Sequence, residues 1–165
     1  MANQGKVLFL CSGNTCRSPM AAALLHKYLA ERYPEVSEQL EVDSAGVHTI
    51  SGLPASDGAV EVMREEGLDL TGHQSRRATE ETIREASLVL AMTVGIKQDI
   101  VRRHPWAGDK VFTLKEFVDD DAYADVVDPF GGDIEVYSAS YREIKALVLR
   151  SLDRIVELAG GNDVG

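Results

Sequence analysis

The sequence predicts an α/β domain: four parallel strands in a doubly wound sheet, flanked by helices on both faces. Short, continuous apolar runs supply the strands, and helical apolar stripes alternate with them along the chain. No repeat or internal linker divides the 165 residues, so 1–165 reads as a single domain with frayed ends at 1–5 and 160–165. Runs that are apolar throughout fit strands buried on both faces, and strand–helix alternation implies parallel strands with right-handed crossovers.

The first strand is residues 6–10, KVLFL, which run into Cys11-Ser12-Gly13-Asn14-Thr15-Cys16-Arg17-Ser18. Ser18 at the N-cap and Pro19 at the first helical position predict a helix, and Leu24, Leu25, Tyr28 and Leu29 continue it to about residue 33. Residues 40–44 form the second strand, followed by a Gly/Ser/Pro-containing loop to Pro54 and a helix over 55–66 that Gly67 stops. A short helix over 79–86 precedes the third strand at 88–92; a helix over 95–103 ends before Pro105, and 110–112 is the fourth strand. Residues 119–132 are an acidic, Gly-containing loop with one Asp-Pro. Tyr137, Tyr141, Ile144, Val148, Leu152 and Ile155 then keep one apolar stripe along a final long helix.

Composition narrows the function. Hydrophobic residues make up 44% and charged residues 27%, as in ordinary globular proteins. With 27 acidic against 17 basic residues the net charge is −10, which argues against nucleic-acid binding and against anionic membrane surfaces. It does not exclude small anions, because a few aligned donors make one positive pocket on an acidic protein. The only cysteines, Cys11 and Cys16, lie in one short segment rather than in a spread disulfide framework. No leader and no apolar run of membrane-spanning length is present, so a cytoplasmic location is expected.

In a doubly wound sheet ligands bind beyond the carboxyl ends of the strands, and Cys11–x5–Arg17–Ser18 occupies that place after the first strand. As a strand-to-helix turn, the segment would converge backbone N–H groups on one point and form an anion cradle. Gly13 would give the loop backbone freedom, Asn14 tolerates the left-handed region, and Arg17 can offer two parallel donors to a phosphoryl group. The donors that bind a phosphate also favour a thiolate at Cys11, with Ser18 able to bond the sulfur. A thiolate beneath a cradled phosphoryl group is placed for in-line attack. Cys11 taken alone would equally suit a small buried side chain at a strand end.

The segment VLFLCSGNTCRSPMAAALL closely resembles the opening of low-molecular-weight protein-tyrosine phosphatases. The resemblance continues over nearly the whole chain, through VDSAGV, GHQSR, LVLAMT, DKVFTLKEF and VVDPFGGDIEVY. It implies a four-stranded parallel sheet, hydrolysis through a phosphocysteine, phosphorylated proteins as substrates, and no metal or organic cofactor. It also implies that Cys11, Arg17 and Asp128 are catalytic. Ser12, Gly13, Asn14, Thr15, Cys16, Ser18 and Phe130 would contact substrate, and Ser44 and His73 would support the loop. Residue chemistry alone does not separate Asp128 from Asp119, Asp120, Asp121 or Asp125, and His73 alone reads as a surface residue near a turn. Cys16 suits either a buried structural thiol or, as the family implies, a reversible disulfide with Cys11. His26, His48 and His104 lack metal-ligand spacing and read as incidental.

Thr15 and Phe130-Gly131-Gly132 resemble the protein-arginine phosphatase branch, where tyrosine-specific relatives carry a bulky aliphatic residue and a tyrosine. A guanidinium would be left unpaired against a purely aliphatic wall. Phosphoarginine is therefore the expected substrate, with phosphotyrosine as the alternative under the same mechanism. A thiol-coupled arsenate reductase would need redox cysteines after Cys16, and none follows. A non-catalytic phosphate-binding module would typically have lost Cys11, Arg17 or Asp128.

Overall fold

The computed structural model describes residues 5–119 and 124–160. Four strands, β1 (Gly5–Cys11), β2 (Leu40–Gly46), β3 (Leu88–Ala91) and β4 (Val111–Thr113), form an all-parallel sheet in the order β2-β1-β3-β4. The helices are α1 (Arg17–Arg32), α2 (Pro34–Ser37), α3 (Asp57–Met63), α4 (Glu80–Glu85), α5 (Val94–Arg103), α6 (Leu114–Phe117) and α7 (Ile134–Ile155). Alternation along β1 divides the core. Val7, Phe9 and Cys11 join the layer that holds α1 and α7, whereas Leu8 and Leu10 face Ile83 of α4 and Ile96 and Ile100 of α5.

The order places β2 on one side of β1 and β3 on the other. The chain therefore leaves β1 at the point where the winding reverses, and the loop after Cys11 opens at that crevice. Met92 extends the β1–β3 ladder by one bond, its N–H donating to the Leu10 carbonyl at 2.9 Å.

Several boundaries differ from the sequence expectation, each for a local reason. Helix α1 begins at Arg17, not at Pro19, and Ser18 is not its cap. The Ser18 hydroxyl is engaged by Cys11 and Asn14 instead, and Pro19 costs no hydrogen bond because the first-turn N–H groups of a helix have no internal acceptor. Strand β2 runs two residues past Ser44, since Gly46 pairs with Cys11. The helix expected over 55–66 is α3 followed by a 3-10 turn, Arg64–Glu66, and Gly67 ends it in the left-handed region at φ 75°. Helices α2 and α6 were not anticipated. α6 carries a readable signal, a capping box in which Thr113 and Glu116 bond each other's backbone N–H. Gly5 begins β1 and Gly160 closes a π-helical turn, Val156–Gly160; residues 1–4 and 161–165 lie outside the described residues, as do Asp120 and Asp121.

One buried charge knot ties the layer around α1 and α7. Glu66 takes Lys27 at 2.7 Å, Tyr28 at 2.8 Å, Tyr141 at 2.7 Å and Lys145 at 2.5 Å, with its side chain 4% exposed. Burial works to raise the Glu66 carboxyl, but the hydrogen bonds from Lys145, Lys27, Tyr141 and Tyr28 outweigh it and hold the group down at about 2. Burial and the same carboxylate push Tyr141 up to about 12.

Because the Glu66 carboxyl is lower in the folded chain than its ordinary 4.5, its contribution is complete above that value and disappears as pH falls towards 2. Glu66→Gln is expected to cost ~3 kcal/mol at neutral pH. The gap from wild type should close between pH 4.5 and 2 in denaturant unfolding; a gap constant with pH would show that the knot contributes only packing.

Candidate active site

The loop from Cys11 to Ser18 is organised around Asn14, which is fully buried and left-handed at φ 58°. The left-handed position thus falls on Asn14, the residue expected to tolerate it, and Gly13 is not at positive φ. Every polar group of Asn14 has a partner. Its N–H donates to Cys11 Sγ at 3.2 Å, and its Nδ2 donates to Ser18 Oγ at 2.8 Å and to Ser44 Oγ at 2.9 Å. Its Oδ1 accepts the Arg76 backbone N–H at 2.8 Å, which fixes the amide orientation. Its carbonyl lies 2.7 Å from His73 Nε2; a carbonyl only accepts, so the His73 proton is on Nε2.

Ser18 Oγ lies 2.9 Å from Cys11 Sγ. Since Ser18 already accepts from Asn14, its own proton is free for the sulfur. Cys11 thus receives two donors, one from backbone and one from hydroxyl.

Arg17, the first residue of α1, is buried and faces the second loop of the site. Its Nη1 donates to the Val126 carbonyl at 2.9 Å, and Nη2 lies 3.4 Å from Asp128 Oδ2. Arg17 Nε is buried with no partner among the described residues. An orphaned guanidinium donor on a residue that lines the same cleft as Cys11 suits an oxyanion.

Asp128 sits on the loop before α7, its side chain 48% exposed, and its Oδ1 accepts the Phe130 N–H at 3.1 Å. The loop is pinned to the sheet upstream, where the Val126 N–H donates to the Met92 carbonyl at 2.9 Å. Downstream Asp133 caps α7, accepting the Val136 N–H at 3.1 Å.

These residues surround a cleft of about 320 Å³, lined by Cys11 to Arg17, by Asp128 and Phe130, and by His48, Thr49, Ile50 and Leu53. Phe130 is 71% exposed and stands at the mouth. Ser18, Ser44 and His73 are not in the lining; they bond the sulfur or Asn14 from behind. The loop after β2 was missed by sequence reading, and His48, taken as incidental, belongs to the lining. Its backbone N–H donates to the Ser12 carbonyl at 2.9 Å, continuing the β1–β2 pairing beyond Gly46. Cys16 and Cys11 are both free thiols; Cys16 Sγ lies 3.0 Å from Ser56 Oγ and 3.5 Å from Tyr137 OH. Burial, then the Cys16 contact, raises the Tyr137 hydroxyl above its ordinary value. Among the described residues no group of three His, Cys, Asp or Glu side chains could hold a metal ion.

Comparison with known proteins places this geometry. A model of the low molecular weight phosphotyrosine protein phosphatases matches residues 6–158. The protein-arginine phosphatase of Geobacillus stearothermophilus is 47% identical over 91% of this chain and 95% of its own length. That of Bacillus subtilis strain 168 is 44% identical over 86% and 91%. The solved YwlE arginine phosphatase from Geobacillus stearothermophilus superposes with a TM-score of 0.81 at 46% identity, covering 92% of each chain.

Gly46 is where β2 meets the loop. A Cβ there would lie 2.7 Å from the Ser12 carbonyl oxygen and 3.0 Å from Asn14 Cβ, so the loop itself would have to move. Gly46→Ala is expected to weaken inhibition by inorganic phosphate and to lower turnover roughly tenfold, at a stability cost of about 1–3 kcal/mol. Wild-type phosphate inhibition in that variant would show that the strain is absorbed elsewhere.

Proposed function

The chain belongs to the low-molecular-weight phosphotyrosine protein phosphatase family, and we propose that it is a cytoplasmic protein-arginine phosphatase. Its substrates would be proteins phosphorylated on arginine, and its intermediate a phosphocysteine on Cys11. The observation that carries the hydrolytic reading is the sulfur of Cys11. It takes the Asn14 N–H and the Ser18 hydroxyl, and Cys11 shares one cleft with Asp128 and with Arg17, whose Nε has no partner among the described residues.

In the first step Cys11 Sγ attacks phosphorus in line, an S–P bond forms, and the P–N bond of phosphoarginine breaks. Asp128 gives its proton to the departing nitrogen. Charge on the equatorial oxygens falls on the loop N–H groups and on the Arg17 guanidinium. In the second step the Asp128 carboxylate takes a proton from water, the oxygen attacks phosphorus, and Cys11 leaves as a thiolate met again by Ser18 and Asn14. Phosphate is released and Asp128 is protonated for the next turn.

Two features favour phosphoarginine over phosphotyrosine. Thr15 lines the cleft and carries a hydroxyl, where an aliphatic residue would leave a guanidinium unpaired. The Geobacillus and Bacillus relatives, both named protein-arginine phosphatases, match most of the chain.

Cys11→Ser should abolish turnover yet retain phosphate binding, because an alcohol is a far weaker nucleophile in the same cradle, and Cys16→Ser should keep most activity under reducing conditions. The reverse pattern would exchange the roles of the two cysteines.

Thr15→Ile tests specificity, with kcat/KM for phosphoarginine and phosphotyrosine peptides measured on the same preparations. Phosphoarginine hydrolysis should fall about tenfold or more if one polar contact of roughly 1.4 kcal/mol is lost in the transition state, while phosphotyrosine hydrolysis survives or rises. An unchanged ratio removes Thr15 as the determinant, and a wild-type preference for phosphotyrosine overturns the arginine assignment.

A further inference from the structure

We infer that Asp125 is a positioning residue for the proton-transfer step, holding Asp128 against Arg17 by capping the N-terminus of α5. This rests on the phosphatase reading above, in which Asp128 is the acid.

Asp128 stands on an exposed loop, and its own contacts are with Arg17 and the Phe130 N–H. What fixes the loop lies just upstream. Asp125 Oδ1 accepts the Val94 N–H at 2.8 Å, from a residue 31 positions away. Helix α5 has no acidic residue in its first turn; Thr93 satisfies the Ile96 N–H, and Val94 is left as one of the orphan donors that begin any helix. The Asp125 carboxylate meets that donor and the positive end of the helix together. The next residue, Val126, bonds the end of β3 through its N–H and Arg17 through its carbonyl. Within four residues the chain therefore carries a helix cap, a sheet bond, an acceptor for the guanidinium, and the acid. Without the Asp125 carboxylate, the anchors left at this end among the described residues all belong to Val126: its bonds to Met92 and Arg17 and its buried side chain. Asp125 does not line the cleft, so it acts through Asp128 and not on substrate.

The role predicts a dependence on the leaving group. Asp125→Ala should lower kcat for a phosphoarginine peptide roughly tenfold, since an ångström of misplacement can cost up to about 100-fold. Hydrolysis of para-nitrophenyl phosphate, whose leaving group departs without a full proton, should fall much less. Asp125→Asn, which keeps an acceptor for Val94, should restore most of the loss. Val94→Pro removes the same bond from the donor side at a helical position that tolerates proline, and it should reproduce the alanine phenotype. Thr93 is already extended, as a residue before proline prefers. In an Asp128→Asn background Asp125→Ala should add no further loss. Equal loss on both substrates, additivity in that background, or no loss at all would overturn the inference while leaving the phosphatase reading in place. If Asp128→Asn itself turned over the phosphoarginine peptide at the wild-type rate, the acid assignment and this inference would fall together.

Discussion

Asn14 holds the catalytic loop by making the backbone and the side chain of one residue face different parts of the protein. At φ 58° its N–H turns inward to the sulfur while its carbonyl meets His73 on the outside. The side-chain amide, oriented by the Arg76 N–H, then reaches Ser18 and Ser44. Because Asn14 occupies the acceptor side of Ser18, the Ser18 proton is directed at Cys11. The sulfur's second donor thus depends on an amide whose orientation is set by a backbone group 62 positions away. A buried network of this kind is stable only when complete, since each unpaired group would carry its desolvation cost.

The second dependence runs through Arg17. Its guanidinium is held from the loop before α7 by the Val126 carbonyl and by Asp128, and its Nε has no partner among the described residues. A protein of net charge −10 can build such a site because the field felt by a bound phosphoryl group comes from donors a few ångströms away, while surface carboxylates are screened within about 8–10 Å. Rigid placement of the guanidinium matters more here than the overall balance of charge.

Much of this was legible in the sequence. Continuous apolar runs marked β1 and β3, which are buried on both faces, and the residues that the family motif named, Cys11, Arg17 and Asp128, line one cleft. What stayed hidden was set by tertiary contacts. Ser18 reads as a helix cap because Ser before Pro usually is one; nothing local says that its hydroxyl will be taken by a sulfur and an amide. Residue chemistry could not distinguish Asp128 from its acidic neighbours, since the distinction is made by Arg17, the Met92 carbonyl and the α5 N-terminus. His48 looked incidental because its place in the cleft follows from the register of β2 on β1, which no short motif encodes.

The nucleophile and its cradle occupy the first eighteen residues, yet the bonds that shape them reach residues 30, 59, 62 and 109 positions further on. A chain emerging from the ribosome therefore exposes the Cys11 motif long before it can shape it. Ser44 arrives first, His73 and Arg76 next, and the Val126 carbonyl that grips Arg17 only after β3 and β4 have been made. Early in synthesis the motif is only a flexible peptide containing a cysteine, without the donors that would activate it. The reactive sulfur is a late product of translation, so unfinished or truncated chains carry the motif without its chemistry.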